Sequence, residues 1–259
     1  MADCNLEVRG LGAAYGRHVV IKDVSLRLPS GEWFALMGPN GCGKSTLLDC
    51  IVGKLAPTAG DIRIAGHSLS TEPASAKRQL GYACAPENLP SLLTARQCFE
   101  VHAGAKGLST VDADVMVLAE ELKFLPYLES FVDTLSLGTR QKLAVLLCLI
   151  GDPKLIVLDE AFNGLDPASS LVLKRHLRWR LKERGATLML ATHALDIVEH
   201  YADHAGLLLD GILTREWARS EIEEWRLNGR GFDSALADQG SGAPAKSDNA
   251  DRSQSYGAE

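Results

Sequence analysis

Gly38-Pro39-Asn40-Gly41-Cys42-Gly43-Lys44-Ser45-Thr46 fits the pattern G-x-x-x-x-G-K-[ST], and its flanks suit it. Phe34-Ala35-Leu36-Met37 runs in as an apolar strand, and Leu47-Leu48-Asp49-Cys50-Ile51-Val52 runs out as a helix. Glycines let backbone N–H groups turn inward around a phosphate, while the new helix points its positive end at the same anion. Lys44 is placed to neutralise β and γ phosphates, and the Ser45 hydroxyl to ligate Mg²⁺. The whole stretch reads as a nucleotide site.

Further along, Leu155-Ile156-Val157-Leu158-Asp159-Glu160 supplies a second anchor. Four apolar residues predict a buried strand, and a carboxylate just beyond its C-terminal end reaches Mg²⁺ in the crevice where such sheets bind ligands. Glu160, next in line, is the candidate to polarise an attacking water. Around these anchors, strand-like and helix-like stretches alternate. Strands are expected at Leu6–Leu11, Val19–Leu28, Trp33–Met37, Asp61–Ala65, Leu155–Leu158 and Thr187–Ala191. Helices are expected at Gly43–Val52, Asp112–Phe124, Gly138–Ile150, Pro167–Glu183 and Leu195–Tyr201, with Thr94-Ala95-Arg96-Gln97 as a capping box. Such alternation implies an α/β fold, a mostly parallel sheet covered by helices.

Between the two anchors lies Leu135-Ser136-Leu137-Gly138-Thr139-Arg140-Gln141, 23 residues before Asp159 counted from Ser136. It resembles the LSGGQ signature of the nucleotide-binding subunits of ABC transporters. Ser136 suits a helix N-cap, whose N–H groups and dipole favour a phosphate. The resemblance spans roughly Leu6 to Trp225 and is strongest to single-domain exporter subunits. It implies a P-loop NTPase with an N-terminal antiparallel β portion and a helical subdomain at about 88–150, all within residues 1–230. It implies ATP and Mg²⁺ as ligands, and Tyr15 as the aromatic that stacks on adenine. Ser136, Gly138 and Thr139 would face the ATP of a second nucleotide-binding subunit, homo- or heteromeric, with Asp166 of Asn163-Gly164-Leu165-Asp166-Pro167 in the D-loop. His193, after Thr192, matches the switch histidine at the γ-phosphate.

In three places the pattern departs from the family. The Q-loop match, Gly81-Tyr82-Ala83-Cys84-Ala85-Pro86-Glu87, ends in Glu87 rather than glutamine; a carboxylate still ligates a hard cation, so Glu87 joins Ser45 and Asp159 in the expected Mg²⁺ set. Leu137 replaces the first signature glycine, and Thr139 the usual glutamine. Cys42, inside the phosphate loop beside Lys44 and ahead of a helix N-terminus, is expected to be a reactive thiol that bound ATP protects. His200 and His204 lie four apart, but no third ligand converges on them, so no metal site is expected there.

The chain has 259 residues, with 27 Lys plus Arg against 33 Asp plus Glu and a net charge of −6. That balance carries no electrostatic footprint for nucleic acid. No apolar run approaches the roughly 18–20 residues of a membrane span, and Met1-Ala2-Asp3-Cys4-Asn5 shows no secretory signal. Six cysteines without a C-x-x-C pair fit reduced thiols in a cytoplasmic protein. Residues 231–259, rich in Gly, Ser, Ala and Asp, are expected to be a disordered acidic tail. The resemblance implies ATP hydrolysis that drives transport, with export favoured, on the cytoplasmic face of a membrane through a separate transmembrane subunit. The alternative is a regulatory nucleotide-binding subunit with little hydrolysis.

Overall fold

The structure, a computed structural model, describes residues 4–228, so the tail expected at 231–259 lies outside the described residues. The chain runs β1 (Cys4–Tyr15), β2 (His18–Pro29), β3 (Trp33–Met37), α1 (Lys44–Ile51), β4 (Ala59–Ile64), β5 (His67–Ser68), α2 (Pro73–Arg78), β6 (Leu80–Ala83), α3 (Ala95–Ala105) and α4 (Ala113–Glu121). It continues through α5 (Leu137–Cys148), β7 (Leu155–Asp159), α6 (Pro167–Arg184), β8 (Thr187–Ala191), α7 (Leu195–Tyr201), β9 (His204–Leu209), β10 (Ile212–Trp217) and α8 (Arg219–Asn228).

Two sheets form. One has the order β2-β1-β4-β5 and is antiparallel; the other has the order β10-β9-β3-β8-β7-β6. In the larger sheet β9, β3, β8, β7 and β6 are parallel, and only β10 runs antiparallel at the edge. The expected α/β class and the antiparallel N-terminal portion are both present.

The reason lies in how the apolar residues divide. Trp33, Ala35 and Met37 face one core and Phe34 and Leu36 the other; likewise Ile156 and Leu158 oppose Leu155 and Val157. A strand buried on both faces reads as an unbroken apolar run, not as an alternation. Between the sheets, Leu47, Leu48 and Ile51 of α1 pack with Leu6, Val8 and Ile62. Each such burial stabilises by about 2 kcal/mol.

Several element ends shift from expectation. The helix expected over 112–124 stops at Glu121: Lys123 turns left-handed (φ 56°), and Phe124 N donates to Ala119 O at 2.7 Å, which closes the helix end. The strand at 61–65 ends one residue early because Ala65 is also left-handed (φ 47°). The capping box is present as expected, with Thr94 Oγ1 accepting from Gln97 N at 3.2 Å and Gln97 Oε1 from Thr94 N at 2.9 Å.

Candidate functional site

Parallel pairing brings the C-terminal ends of the central strands to one edge. Thr192 N donates to Leu36 O at 3.1 Å, and Glu160 N donates to Ala191 O at 3.0 Å. These bonds level the ends of β3, β8 and β7, so the loops at Gly38, Asp159 and Thr192 open together. This is the place where open α/β sheets bind ligands.

The phosphate loop leaves β3 at Gly38, whose φ is 152°. A Cβ there would sit 2.3 Å from Leu208 O, so only glycine fits. Gly43 is the left-handed N-cap of α1 and offers no side-chain cap, which leaves the first N–H groups of the helix for a ligand. Lys44, only 9% exposed, donates Nζ to Gly38 O at 2.7 Å and Pro39 O at 3.1 Å, so its stem crosses under the loop. An open cleft of about 360 Å³ is lined by His18, Val20, Asn40, Gly41, Gly43, Lys44, Ser45, Thr46, Asp159 and Glu160.

Ser45 Oγ donates to Asp159 Oδ2 at 3.2 Å. Two hard oxygens this far apart suit adjacent corners of an Mg²⁺ octahedron, where metal–oxygen distances of ~2.1 Å put neighbouring ligands about 2.9 Å apart. Burial pushes the Asp159 carboxyl up from its ordinary range, against the Ser45 hydroxyl and Lys44, which pull it down. A bound divalent cation would hold it ionised.

Glu160 follows in a left-handed conformation (φ 48°), disfavoured for any residue with a side chain. Its Oε1 lies 2.8 Å from His193 Nδ1, and its Oε2 accepts from Asn163 Nδ2 at 3.2 Å. Thr192 Oγ1 stands 3.4 Å from the same Oε2. The carboxylate, which lines the cleft, is therefore fixed on several sides, with the imidazole behind it.

Other predicted residues lie elsewhere. Tyr15 ends β1, is 53% exposed, and pairs across the Gly16 turn with His18, which itself lines the cleft. Ser136 caps α5, accepting from Thr139 N at 3.2 Å, and its hydroxyl lies 2.8 Å from Thr139 Oγ1. Gly138 packs so tightly on the D-loop that an added Cβ would stand 2.9 Å from Gly164 O. Asp166 caps α6, accepting from Ser169 N at 2.9 Å and Ser169 Oγ at 2.6 Å; these bonds, with Lys142 at 3.4 Å, hold its carboxyl well below the usual range. Glu87 sits exposed in a short 3-10 turn, Pro86–Asn88, and is not among the residues lining the cleft.

The expectation for Cys42 needs correction. The residue is 5% exposed and packs in the core between the sheets, with Sγ 2.6 Å from the point a Gly38 Cβ would occupy. It fills space beneath the loop and does not face the cleft. His200 bonds Asp196 O through Nδ1 at 2.8 Å, and no three-residue His/Cys/Asp/Glu cluster suited to a metal ion occurs among the described residues. His18 and Val20 were not expected at the site. Only the β1–β2 register could have indicated them.

The sequence profile of the ABC transporter family matches residues 21–163, more than half of the chain. The lantibiotic transport ATP-binding protein SrtF of Streptococcus pyogenes is 32% identical over 85% of this chain and 94% of its own. The Nod factor export ATP-binding protein I of Mesorhizobium japonicum is 33% identical over 80% of this chain and 61% of its own. Among solved structures, the ATP-binding subunit of an ABC transporter superposes with a TM-score of 0.82 at 31% identity, covering 90% of this chain and 98% of that one. A dimeric ATP-binding cassette bound to ADP and Pi shares the fold, with a TM-score of 0.75 at 24% identity over 83% of this chain and 98% of its own. The chain belongs to the ABC transporter family, among its ATP-binding proteins.

Proposed function

We propose that this chain hydrolyses ATP to power export through a separate transmembrane subunit, closing on a second nucleotide-binding subunit around two ATP molecules. The observation that carries this reading is the 2.8 Å bond from His193 to Glu160, which lines the same cleft as Lys44, Ser45 and Asp159. Backbone N–H groups of the Gly41–Thr46 stretch and the Lys44 ammonium bind the phosphates. Ser45 and Asp159 would hold Mg²⁺, which when bound would supply positive charge to offset that of the phosphates. Glu160 takes a proton from the attacking water as its oxygen bonds to the γ-phosphorus and the bond to the ADP oxygen breaks. His193 orients Glu160 and meets charge on the γ-phosphate. Tyr15 stacks on adenine, and Ser136, Gly138 and Thr139 offer donors to the partner's nucleotide.

Export rests on relatives named for lantibiotic transport and Nod factor export. Among the described residues no helix is long and apolar enough to cross a membrane, so on this reading the transport path lies in the partner and the chain sits on the membrane's cytoplasmic face. Leu92 and Phe131 are exposed beside the Thr94–Phe131 bridge, at the start of the helical stretch where the partner would dock.

The test is steady-state ATP hydrolysis with Mg²⁺ beside Glu160→Gln, with size-exclusion chromatography in ATP. Turnover lost in the variant, with an ATP-trapped dimer, supports the proposal. ATP binding without turnover or dimer, even with the transmembrane partner present, overturns it.

One observation favours the regulatory alternative. Leu137 stands 59% exposed where the family has glycine, and the Ser136 and Thr139 hydroxyls bond each other. If Leu137→Gly raises turnover by about tenfold or more, the natural chain is tuned for binding over hydrolysis.

A further inference from the structure

Behind the loop that carries Glu160 stands a column of rings and cations. Phe162 stacks on Trp33 with ring centroids 6.3 Å apart and planes 14° from parallel. Trp33 in turn meets Tyr201 at 5.7 Å. Lys174 Nζ lies 5.4 Å from the Phe162 centroid and 4.7 Å from that of Tyr201, and the Arg178 guanidinium lies 5.4 Å from the Trp33 ring. The column is anchored from below: Trp33 N and Arg178 Nη1 both donate to the buried Asp203 Oδ2, at 2.9 and 2.6 Å. The Trp33 indole N–H is buried without a hydrogen-bond partner, so this residue is used for its faces.

Where these residues sit in the chain gives the column its meaning. Trp33 opens β3, the strand that delivers the phosphate loop. Tyr201 ends α7, which begins two residues after His193. Lys174 belongs to α6, the helix that Asp166 caps. Phe162 is two residues from Glu160 and is followed by Asn163, whose N donates to Glu160 O at 3.0 Å and whose Nδ2 donates to Glu160 Oε2. A left-handed conformation at a residue such as Glu160 persists only where its surroundings fix it. Hydrogen bonds to β8 fix the upstream side; the stacked Phe162 fixes the downstream side.

We infer that Phe162 is a positioning residue for hydrolysis: stacked on Trp33, it holds the 160–163 turn so that Glu160 keeps its bond to His193. This rests on the proposed hydrolytic function. Phe162 is not among the residues that line the cleft, so its loss should affect nucleotide binding far less than turnover.

The test compares Phe162→Leu, Phe162→Ala and Phe162→Tyr with the natural chain and with Glu160→Gln. Three quantities are read: kcat, KM for ATP, and the stoichiometry of a fluorescent ATP analogue. Misplacing a catalytic group by a fraction of an ångström costs turnover before it costs binding. The expected result is a kcat about tenfold lower in Phe162→Leu and lower still in Phe162→Ala. KM should stay within about twofold, with one nucleotide bound per chain throughout. Phe162→Tyr, which keeps the ring, should restore kcat. Unit stoichiometry shows that the protein is folded, and if Phe162→Ala fails that control, Phe162→Leu and Phe162→Tyr decide. An unchanged kcat in Phe162→Leu while Glu160→Gln is dead overturns this inference alone. If Glu160→Gln turns over normally, the hydrolytic reading itself fails.

Discussion

Arg180 Nη2 lies 2.6 Å from Asp114 Oδ2, with the Arg180 side chain only 1% exposed and that of Asp114 22%, and this largely buried pair ties α6 to the first turn of α4. Asp152 stands 3.6 Å from Nη1, too far to share the charge equally. Removing one member of a buried pair strands the other's charge and typically costs ~3–5 kcal/mol, whereas replacing both with apolar groups costs far less. Asp114→Ala should therefore lower unfolding stability by about 3 kcal/mol in urea titration. The double variant Asp114→Leu with Arg180→Met should recover most of it. A double variant no better than the single one would show that the helices are held by other contacts.

His176 belongs to the same network. Its Nε2 accepts from Arg180 Nε at 3.0 Å, and burial together with the Arg180 charge lowers its pKa from 6.5 to about 4. In that window the unfolded chain binds a proton that the folded chain refuses, so stability falls as pH drops from 6.5 toward 4. With the ring partly exposed, the loss over this window is about 2 kcal/mol. Carboxylates titrate in the lower part of the same range, so the quantity to measure is a difference: urea unfolding of the natural chain and of His176→Gln at pH 7 and pH 5. The natural chain should lose more stability than the variant over that step. Parallel losses would remove His176 from the account.

Gly138 makes a third test, because its contact with Gly164 joins the start of α5 to the loop before Asp166. Gly138→Ala places a methyl 2.9 Å from the Gly164 carbonyl oxygen, and backbone cannot yield as a flexible side-chain end would. Alanine favours the helix by up to about 1 kcal/mol, which offsets much of the strain. Thermal unfolding should thus move by only a few degrees, while ATP turnover falls about tenfold or more through displacement of the D-loop. A shift in melting temperature without loss of turnover would mean that the loop's position is immaterial to hydrolysis.

What the sequence revealed and what it hid follow from one division. Phosphate and Mg²⁺ chemistry needs fixed residue types at fixed spacings, so Lys44, Ser45, Asp159 and Glu160 announce themselves; strands buried on both faces announce themselves by unbroken apolar runs. β10 and α8 have neither signal: Trp217 is buried in β10 and Ile222 in α8, while Thr214, Arg215, Glu216, Arg219, Ser220, Glu223 and Glu224 are exposed. The Trp33–Phe162–Tyr201 column joins residues more than a hundred positions apart, and no local pattern encodes that. Likewise His18 reaches the cleft only because the β1–β2 hairpin sets it opposite Tyr15.

Cys42 shows the same limit from the other side, since its neighbours in sequence suggest a reactive thiol and its neighbours in space bury one. Gly211 N donates to Cys42 O at 2.9 Å, so the turn between β9 and β10 closes over the loop, and the sulfur packs with the residues between the sheets. A buried thiol labels only when the structure opens. Iodoacetamide followed by peptide mass spectrometry should modify the half-buried Cys4 first. Cys42 should react at least about tenfold more slowly than in urea-unfolded chain. Since the sulfur does not face the nucleotide, Mg-ATP should change the Cys42 rate only as far as it slows opening of the whole loop, in step with the likewise buried Cys50. Rapid labelling of Cys42 that Mg-ATP suppresses while Cys50 stays inert would place the thiol in the cleft and refute this packing.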